Sequence, residues 1–153
     1  MSIFHSINTS ASALTAQRLR MDVISSNMAN IDTTRAKFVE GEWQPYRRKT
    51  VTLQSQGGQF SSFLNTAIGK ADRNGAGSGV KVTAVNEDNE TPFKLVFDPS
   101  HPDANDAGYV EMPNVDPLRE MVDLISATRS YEANVTALNA NKSMLMKALE
   151  IGK

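Results

Sequence analysis

The stretch that decides the fold runs from Ile3 to Ile31 and reads IFHSINTSASALTAQRLRMDVISSNMANI. Mostly apolar residues recur along it in steps of three and four, which places them on one side of an α-helix. Sustained over about four heptads, this spacing is typical of a helix that packs against other helices. We call these positions the N-terminal stripe: Ile3, Ile7, Ser10, Leu14, Gln17, Met21, Ile24, Met28 and Ile31.

The same spacing returns near the other end of the chain and predicts a second long helix. Its members form the C-terminal stripe: Met121, Leu124, Thr128, Tyr131, Val135, Leu138, Lys142, Leu145 and Leu149. Two helices that paired only with each other would leave further apolar residues in water, such as Phe4, Val23, Leu118, Ile125 and Met144. The pattern therefore favours a pair of helices that also docks onto neighbouring subunits over a self-contained hairpin.

The residues between the helices predict short strands. The first helix is expected to end near Ala29, and the last to begin at Pro117, capped by Asp116, and to run to about Glu150. Alternating apolar and polar residues predict strands at 49–53 and 80–85, with further strands at 92–97 and 109–112. The predicted fold class is α+β, with long N- and C-terminal helices forming a coiled-coil-like pair around a small, mainly β middle domain. The predicted segments are 1–34, 35–112 and 113–153.

Composition excludes several classes of protein. The 153 residues carry 16 basic and 17 acidic side chains, a net charge of −1, and no cysteine. No overall field attracts nucleic acid, and disulfide or thiolate chemistry is absent. The basic run Arg47-Arg48-Lys49 is expected to lie in solvent. No cleavable signal peptide or membrane-spanning run is recognisable, so work outside the cytoplasm would require another export route.

No pattern predicts a catalytic or ligand site. His101 and Asp103, with Asp98 and Asp106 nearby, lack a further ligand at the spacing that a metal site needs. The glycine-rich stretch 74–79 lacks the Lys-Ser/Thr pair of a phosphate-binding loop, and no serine lies in a nucleophile-elbow motif. The sequence predicts a protein that is not an enzyme, with no cofactor and no small-molecule substrate.

Two motifs resemble the signatures of a known family. Ser26–Thr34, SNMANIDTT, is similar to the segment after the first helix in flagellar axial proteins of the rod and hook family. Asn114-Val115-Asp116 and Arg129–Asn134, RSYEAN, resemble the C-terminal signature of that family. The segments 45–49 and 98–103 resemble those of the short proximal-rod members. Arg35-Ala36 stands where many relatives have a glycine and an aromatic residue, which disfavours the larger hook and distal-rod members.

The resemblance implies a structural subunit of the proximal rod in the bacterial flagellar basal body. Such a subunit is expected to polymerise through its terminal helices into a helical tube that transmits torque, and to reach the periplasm without a cleaved signal peptide. Its partners would be copies of itself, other rod subunits, the flagellar export apparatus and other basal-body components, with no nucleic acid. Another short axial protein of the family, or a coiled-coil adaptor that binds membrane surfaces, remains an alternative.

The predicted subunit interface combines members of both stripes with signature residues. On the N-terminal side it comprises Ile3, Ile7, Leu14, Met21, Ile24, Asn27, Met28, Asn30 and Ile31. On the C-terminal side it comprises Met121, Leu124, Ile125, Tyr131, Asn134, Val135, Leu138, Leu145 and Leu149.

Overall fold

Two long helices bracket a set of short strands in the computed structural model, which describes residues 3–39, 41–56, 67–68 and 79–151. Helix α1 spans Ile3–Ala29 and helix α2 spans Pro117–Ile151. The six strands are β1 (Lys37–Val39), β2 (Glu42–Gln44), β3 (Lys49–Ser55), β4 (Val80–Glu87), β5 (Lys94–Phe97) and β6 (Tyr109–Met112). The α+β prediction is confirmed. The glycine-rich stretch 74–79 lies outside the described residues except for Gly79.

The start of α2 follows from its sequence. The Asp116 carboxylate accepts a hydrogen bond from the backbone N–H of Leu118 at 3.1 Å, which satisfies one of the free donors of the first turn. Pro117 occupies the first helical position, where its missing N–H costs nothing. The predicted boundary is confirmed.

The strands pair two by two. β1 pairs with β2, β3 with β4, and β5 with β6. The β1–β2 hairpin was not predicted, because strands of three residues are too short for alternation to be recognised. Gly41 lies at the hairpin turn with φ of +96°, a conformation that glycine adopts without steric cost.

The chain divides into two compact units. The first unit contains Met1–Arg20, Thr52–Ala84 and Ser126–Lys153; the second contains Met21–Val51 and Val85–Ile125. Among the described residues of the first unit, the deeply buried apolar side chains are only those of Ala16 and Ala127. The second unit buries larger ones, among them Ile24, Val110 and Val115.

A close backbone approach joins helix and strand in the first unit. The Ser12 hydroxyl accepts a hydrogen bond from the Val80 N–H at 3.0 Å and donates to the Thr9 carbonyl at 2.7 Å. A Cβ placed on Gly79 would lie 2.6 Å from that Ser12 oxygen and 2.5 Å from Oε1 of Gln56. A larger residue just before β4 would therefore require the Ser12 and Gln56 side chains to move.

Within the described part of the chain, no helix has the combination of length and apolar character needed to cross a membrane. Nor does any group of three or more histidine, aspartate or glutamate side chains among those residues have an arrangement suited to a metal ion.

Candidate assembly site

A cluster of polar side chains lies at the centre of the second unit. Its members come from α1, from the segment before β3, from the turn before α2, and from α2 itself. We call Asn27, Tyr46, Arg48, Asn114 and Glu120 the buried cluster; each is at most 9% exposed, and Asn27 and Glu120 are fully buried.

Asn27 uses all of its hydrogen-bonding capacity inside the cluster. Its Nδ2 donates to the Lys49 carbonyl at 2.9 Å and to Oε2 of Glu120 at 3.0 Å. Its Oδ1 accepts from the Tyr46 hydroxyl at 3.0 Å and from the Lys49 N–H at 2.9 Å. An amide has two donors and two principal acceptor positions, so none of its polar atoms is left for a partner.

Arg48 connects the middle of the chain to α2. Its Nε donates to Oε1 of Glu120, and its Nη2 donates to Oδ2 of Asp123 at 3.3 Å. The expectation that this arginine lies in solvent is wrong, because two carboxylates on α2 satisfy its guanidinium. Its neighbour Arg47 lies with its guanidinium carbon 4.4 Å from the centre of the Phe93 ring, a cation–π contact.

Asn114 joins the segment before β3 to the turn between β4 and β5. Its Oδ1 accepts from the Arg48 N–H at 2.8 Å, and its Nδ2 donates to the carbonyls of Asp88 and Thr91, both at 3.0 Å. The two signature motifs, around Asn27 and Asn114, therefore meet in one cluster together with the 45–49 segment. Their amides serve internal structure.

The end of the first signature is bound to the 98–103 loop. Asp103 accepts hydrogen bonds from the Arg35 guanidinium and, at 2.7 Å, from the Thr34 hydroxyl. The Arg35 bond first, and then the Thr34 bond, hold the pKa of the Asp103 carboxyl below its usual value. Arg35, which departs from the family pattern, thus binds Asp103 in the 98–103 loop, a segment that resembles proximal-rod members.

The outward side of α2 is apolar at its start. Leu118, Met121, Val122 and Ile125 follow one another in steps of three, one and three residues and share a face; they are 74%, 49%, 67% and 59% exposed. We call them the outer stripe. Glu120 and Asp123, which hold Arg48, project from the opposite side of the same turns. Exposed apolar surface of this kind is a candidate for association with a partner.

The predicted interface residues of α1 lie mostly on its covered side. Ile24 and Asn27 are buried, and the other described members are half-buried: Ile7, Leu14, Met21, Met28, Asn30 and Ile31. The side chain of Ile3 lies outside the described part. The residues at the spacing 4, 8, 11, 15, 18, 22, 25 and 29 are exposed and form the other side of this helix.

The predicted interface residues of α2 divide between its two sides. Half-buried members are Leu124, Tyr131, Asn134, Val135, Leu138 and Leu145, whereas Met121, Ile125 and Leu149 are exposed. The least exposed positions follow 120, 124, 127, 131, 134, 138, 141 and 145, a line that only partly coincides with the C-terminal stripe. Their part in a subunit interface stays a prediction.

Sequence reasoning missed two exposed aromatic faces in the second unit. Phe38 and Trp43 pair across the β1–β2 hairpin with ring centroids 5.2 Å apart, and both are exposed. Phe97 and Tyr109 pair likewise across β5 and β6, with exposed Leu95 on the same face. The alternation of Leu95 and Phe97 was the available signal, but alternation does not tell which face is covered.

Comparisons with known proteins identify the family of the chain. The family described as "Flagella basal body rod protein" matches residues 7–37, and the family "Flagellar basal body rod FlgEFG protein C-terminal" matches residues 106–151. Over the full length of both chains, the sequence is 67% identical to flagellar basal-body rod protein FlgC of Bacillus subtilis. The chain belongs to the FlgC family of flagellar basal-body rod proteins.

More distant relatives carry the same name. The chain is 44% identical to FlgC of Borreliella burgdorferi over 99% of this chain and 98% of that protein. It is 42% identical to FlgC of Escherichia coli O6:H1 over the full length of both. These proteins are named for their place in a structural rod, and the prediction of a rod protein that is not an enzyme is confirmed.

Proposed function

We propose that this chain is a subunit of the proximal rod, and that it polymerises through its terminal helices into a helical tube that transmits torque. Residues 1–34 and 113–153 are the assembly segments in this proposal, and 35–112 is the β-rich domain. The observation that carries the proposal is the outer stripe of α2, four apolar side chains exposed on a member of a rod-protein family.

The energetics favour a partner for that stripe. Full burial of a leucine, isoleucine, valine or methionine side chain contributes about 1.5 to 3 kcal/mol. The opposite side of the same turns is fixed by Arg48 and Asn27, so the stripe cannot turn inward without breaking the buried cluster. We therefore expect a neighbouring subunit to cover the outer stripe. A head-to-tail contact of this kind that does not close into a ring generates an open helical array.

The proposal extends to location and partners. The subunit would be exported without a cleaved signal peptide and would assemble in the periplasm, with copies of itself, other rod subunits, the export apparatus and other basal-body components. Family membership supports this part of the proposal.

The test is to replace Ile125 by aspartate in a motile host in which this chain replaces the native rod subunit. Ile125 is exposed, so the helix content measured by circular dichroism should be unchanged. The charge should prevent burial against a neighbour, which abolishes swimming in soft agar and leaves basal bodies without complete rods in electron micrographs.

Ile125→Leu is the matched control, because it keeps the apolar surface and should swim normally. The exported amount of each variant, measured in cell fractions, separates a failure of export from a failure of assembly. Complete rods and normal swimming with Ile125→Asp would contradict the proposal.

A further inference from the structure

A cleft in the second unit is lined mostly by residues that the arguments above do not use for assembly. It has a volume of about 740 Å³ and lies among the end of α1, the β1–β2 hairpin, the start of β3 and the end of β4. Clefts of 300–1,000 Å³ are typical of ligand-binding sites.

The lining of this cleft is basic. Among the described residues, Arg35, Lys37, Arg47 and Lys49 line it together with the carboxylate of Glu87. Positive charge is therefore in excess among these lining residues, in a chain whose net charge is −1. Such a concentration of one sign of charge in a concave surface attracts an anionic partner.

Among the described residues, only Arg35 of the four cations has a carboxylate partner. Arg35 is paired with Asp103, and Arg47 lies over the Phe93 ring. Lys49 contacts the Tyr46 ring, its Nζ 5.5 Å from the centre, and Lys37 is exposed. Within the described ranges, neither lysine lies within ion-pair distance of a carboxylate, so both ammonium groups are available to a ligand.

The β1–β2 hairpin borders the cleft with one of its two faces. Lys37 lies opposite Gln44 and Val39 opposite Glu42, which puts Lys37, Val39 and Gln44 on the face away from the Phe38–Trp43 pair. All three line the cleft. This face of the hairpin is therefore the one that borders the cleft.

The same surroundings argue against a phosphate ligand. Helix α1 contributes its C-terminal end through Asn30 and Thr33, and a helix C-terminus carries a partial negative charge. Phosphate sites use helix N-termini, where the dipole has the opposite sign. Cations carried by two separate strands, Lys37 on β1 and Lys49 on β3, instead suit carboxylates spaced along a chain.

We propose that this cleft binds an extended acidic peptide segment of another protein, with carboxylates placed against Lys37 and Lys49. The inference is independent of the proposed polymerisation, since binding would occur on a single dilute subunit. A failure of one therefore leaves the other standing.

The test uses a fluorescein-labelled synthetic peptide of alternating glutamate and valine, with the full chain as the binding protein at low salt. Fluorescence anisotropy should show binding that weakens as salt is added, and a peptide with glutamine for glutamate should not bind. Lys37→Gln should weaken binding by about fivefold, and Glu87→Gln should tighten it by a similar factor. Loss of folding cannot produce that tightening.

Lys81→Gln is the matched control, because it removes the same charge from an exposed β4 position outside the cleft. It should leave the affinity unchanged. Equal weakening by Lys81→Gln and Lys37→Gln, or no binding of the glutamate peptide, would overturn the proposal. If inorganic tripolyphosphate displaced the peptide and bound with higher affinity, the proposal would also be overturned, in favour of a phosphate-binding cleft.

Discussion

Asn27, Arg48 and Glu120 are polar groups whose burial is favourable only while each keeps its partners. A buried ion pair adds little by itself, because desolvation of the two charges offsets their attraction. Removal of one member is different, since it leaves an uncompensated charge in a dry surrounding. The second unit therefore depends on all three side chains together.

At this scale we predict that Arg48→Ala destabilises the protein by about 3 to 5 kcal/mol, because Glu120 would lose its cationic partner while fully buried. The measurement is urea unfolding followed by circular dichroism. The loss should appear in the midpoint of the transition.

Arg129→Ala is the control for this substitution. Arg129 pairs with Glu132 at 3.1 Å, but both side chains are exposed, at 79% and 58%. An exposed pair of this type contributes less than about 1 kcal/mol, so the variant should unfold close to the parent protein. Comparable losses in the two variants would disprove the importance of burial.

The roles of single residues were only partly predictable. The sequence marked Asn27 and Asn30 through their signature, but it placed Arg48 in solvent. Glu120, whose carboxylate binds Arg48, lies 72 positions away, and nothing local to Arg47-Arg48-Lys49 indicates which of the three side chains turns inward.

Among the elements, α2 shows what periodicity can and cannot determine. Its existence and start were predicted because the 3–4 spacing and the Asp116-Pro117 pair are local signals. Its covered side was not, because lines through 120, 127 and 141 and through 121, 128 and 142 have the same spacing. From the sequence, Glu120 is expected at the surface, because Arg48 and Asn27 contact it only in the folded protein.

The contact between α1 and β4 in the first unit gives a prediction at the same scale. Gly79→Ala should destabilise the protein by about 1 to 3 kcal/mol, because the added Cβ would overlap Oγ of Ser12. Urea unfolding measures the loss.

A double variant identifies the cause. Ser12→Ala removes the crowded oxygen, so its effect combined with Gly79→Ala should be smaller than the sum of the two single effects. Strict additivity would mean that Ser12 is not the obstacle.

For the whole molecule, three aspartates link stability to pH. Hydrogen bonds lower the pKa of each carboxyl. The main donor is the Thr91 N–H for Asp88, the Ser100 hydroxyl for Asp98 and the Arg35 guanidinium for Asp103. When the folded-state pKa of an aspartate lies below its unfolded value of about 3.9, the ionised carboxylate stabilises the folded protein. This stabilisation is complete at pH values above about 3.9.

We therefore predict a melting temperature that is insensitive to these groups near neutral pH and falls as acid protonates them, below about pH 4. Thermal unfolding across a pH series measures it. Asp103→Asn should make the fall shallower, and an unchanged slope would show that the Arg35 contact does not contribute.

At the level of the protein, the family and the α+β class were readable from the sequence, because two signatures and two periodic stretches stand at its ends. The bonds that join those signatures were not, since they depend on side chains that meet only after folding. Neither was the basic cleft, whose four cations belong to two separate stretches of sequence, 35–37 and 47–49.

The bond between Asn27 and Glu120 spans 93 positions. A polypeptide threaded end first through a narrow channel cannot make it until both residues have emerged, whichever terminus leads. In the export proposed above, Asn27 and Glu120 would therefore stay hydrated until both have emerged, and the buried cluster would form late.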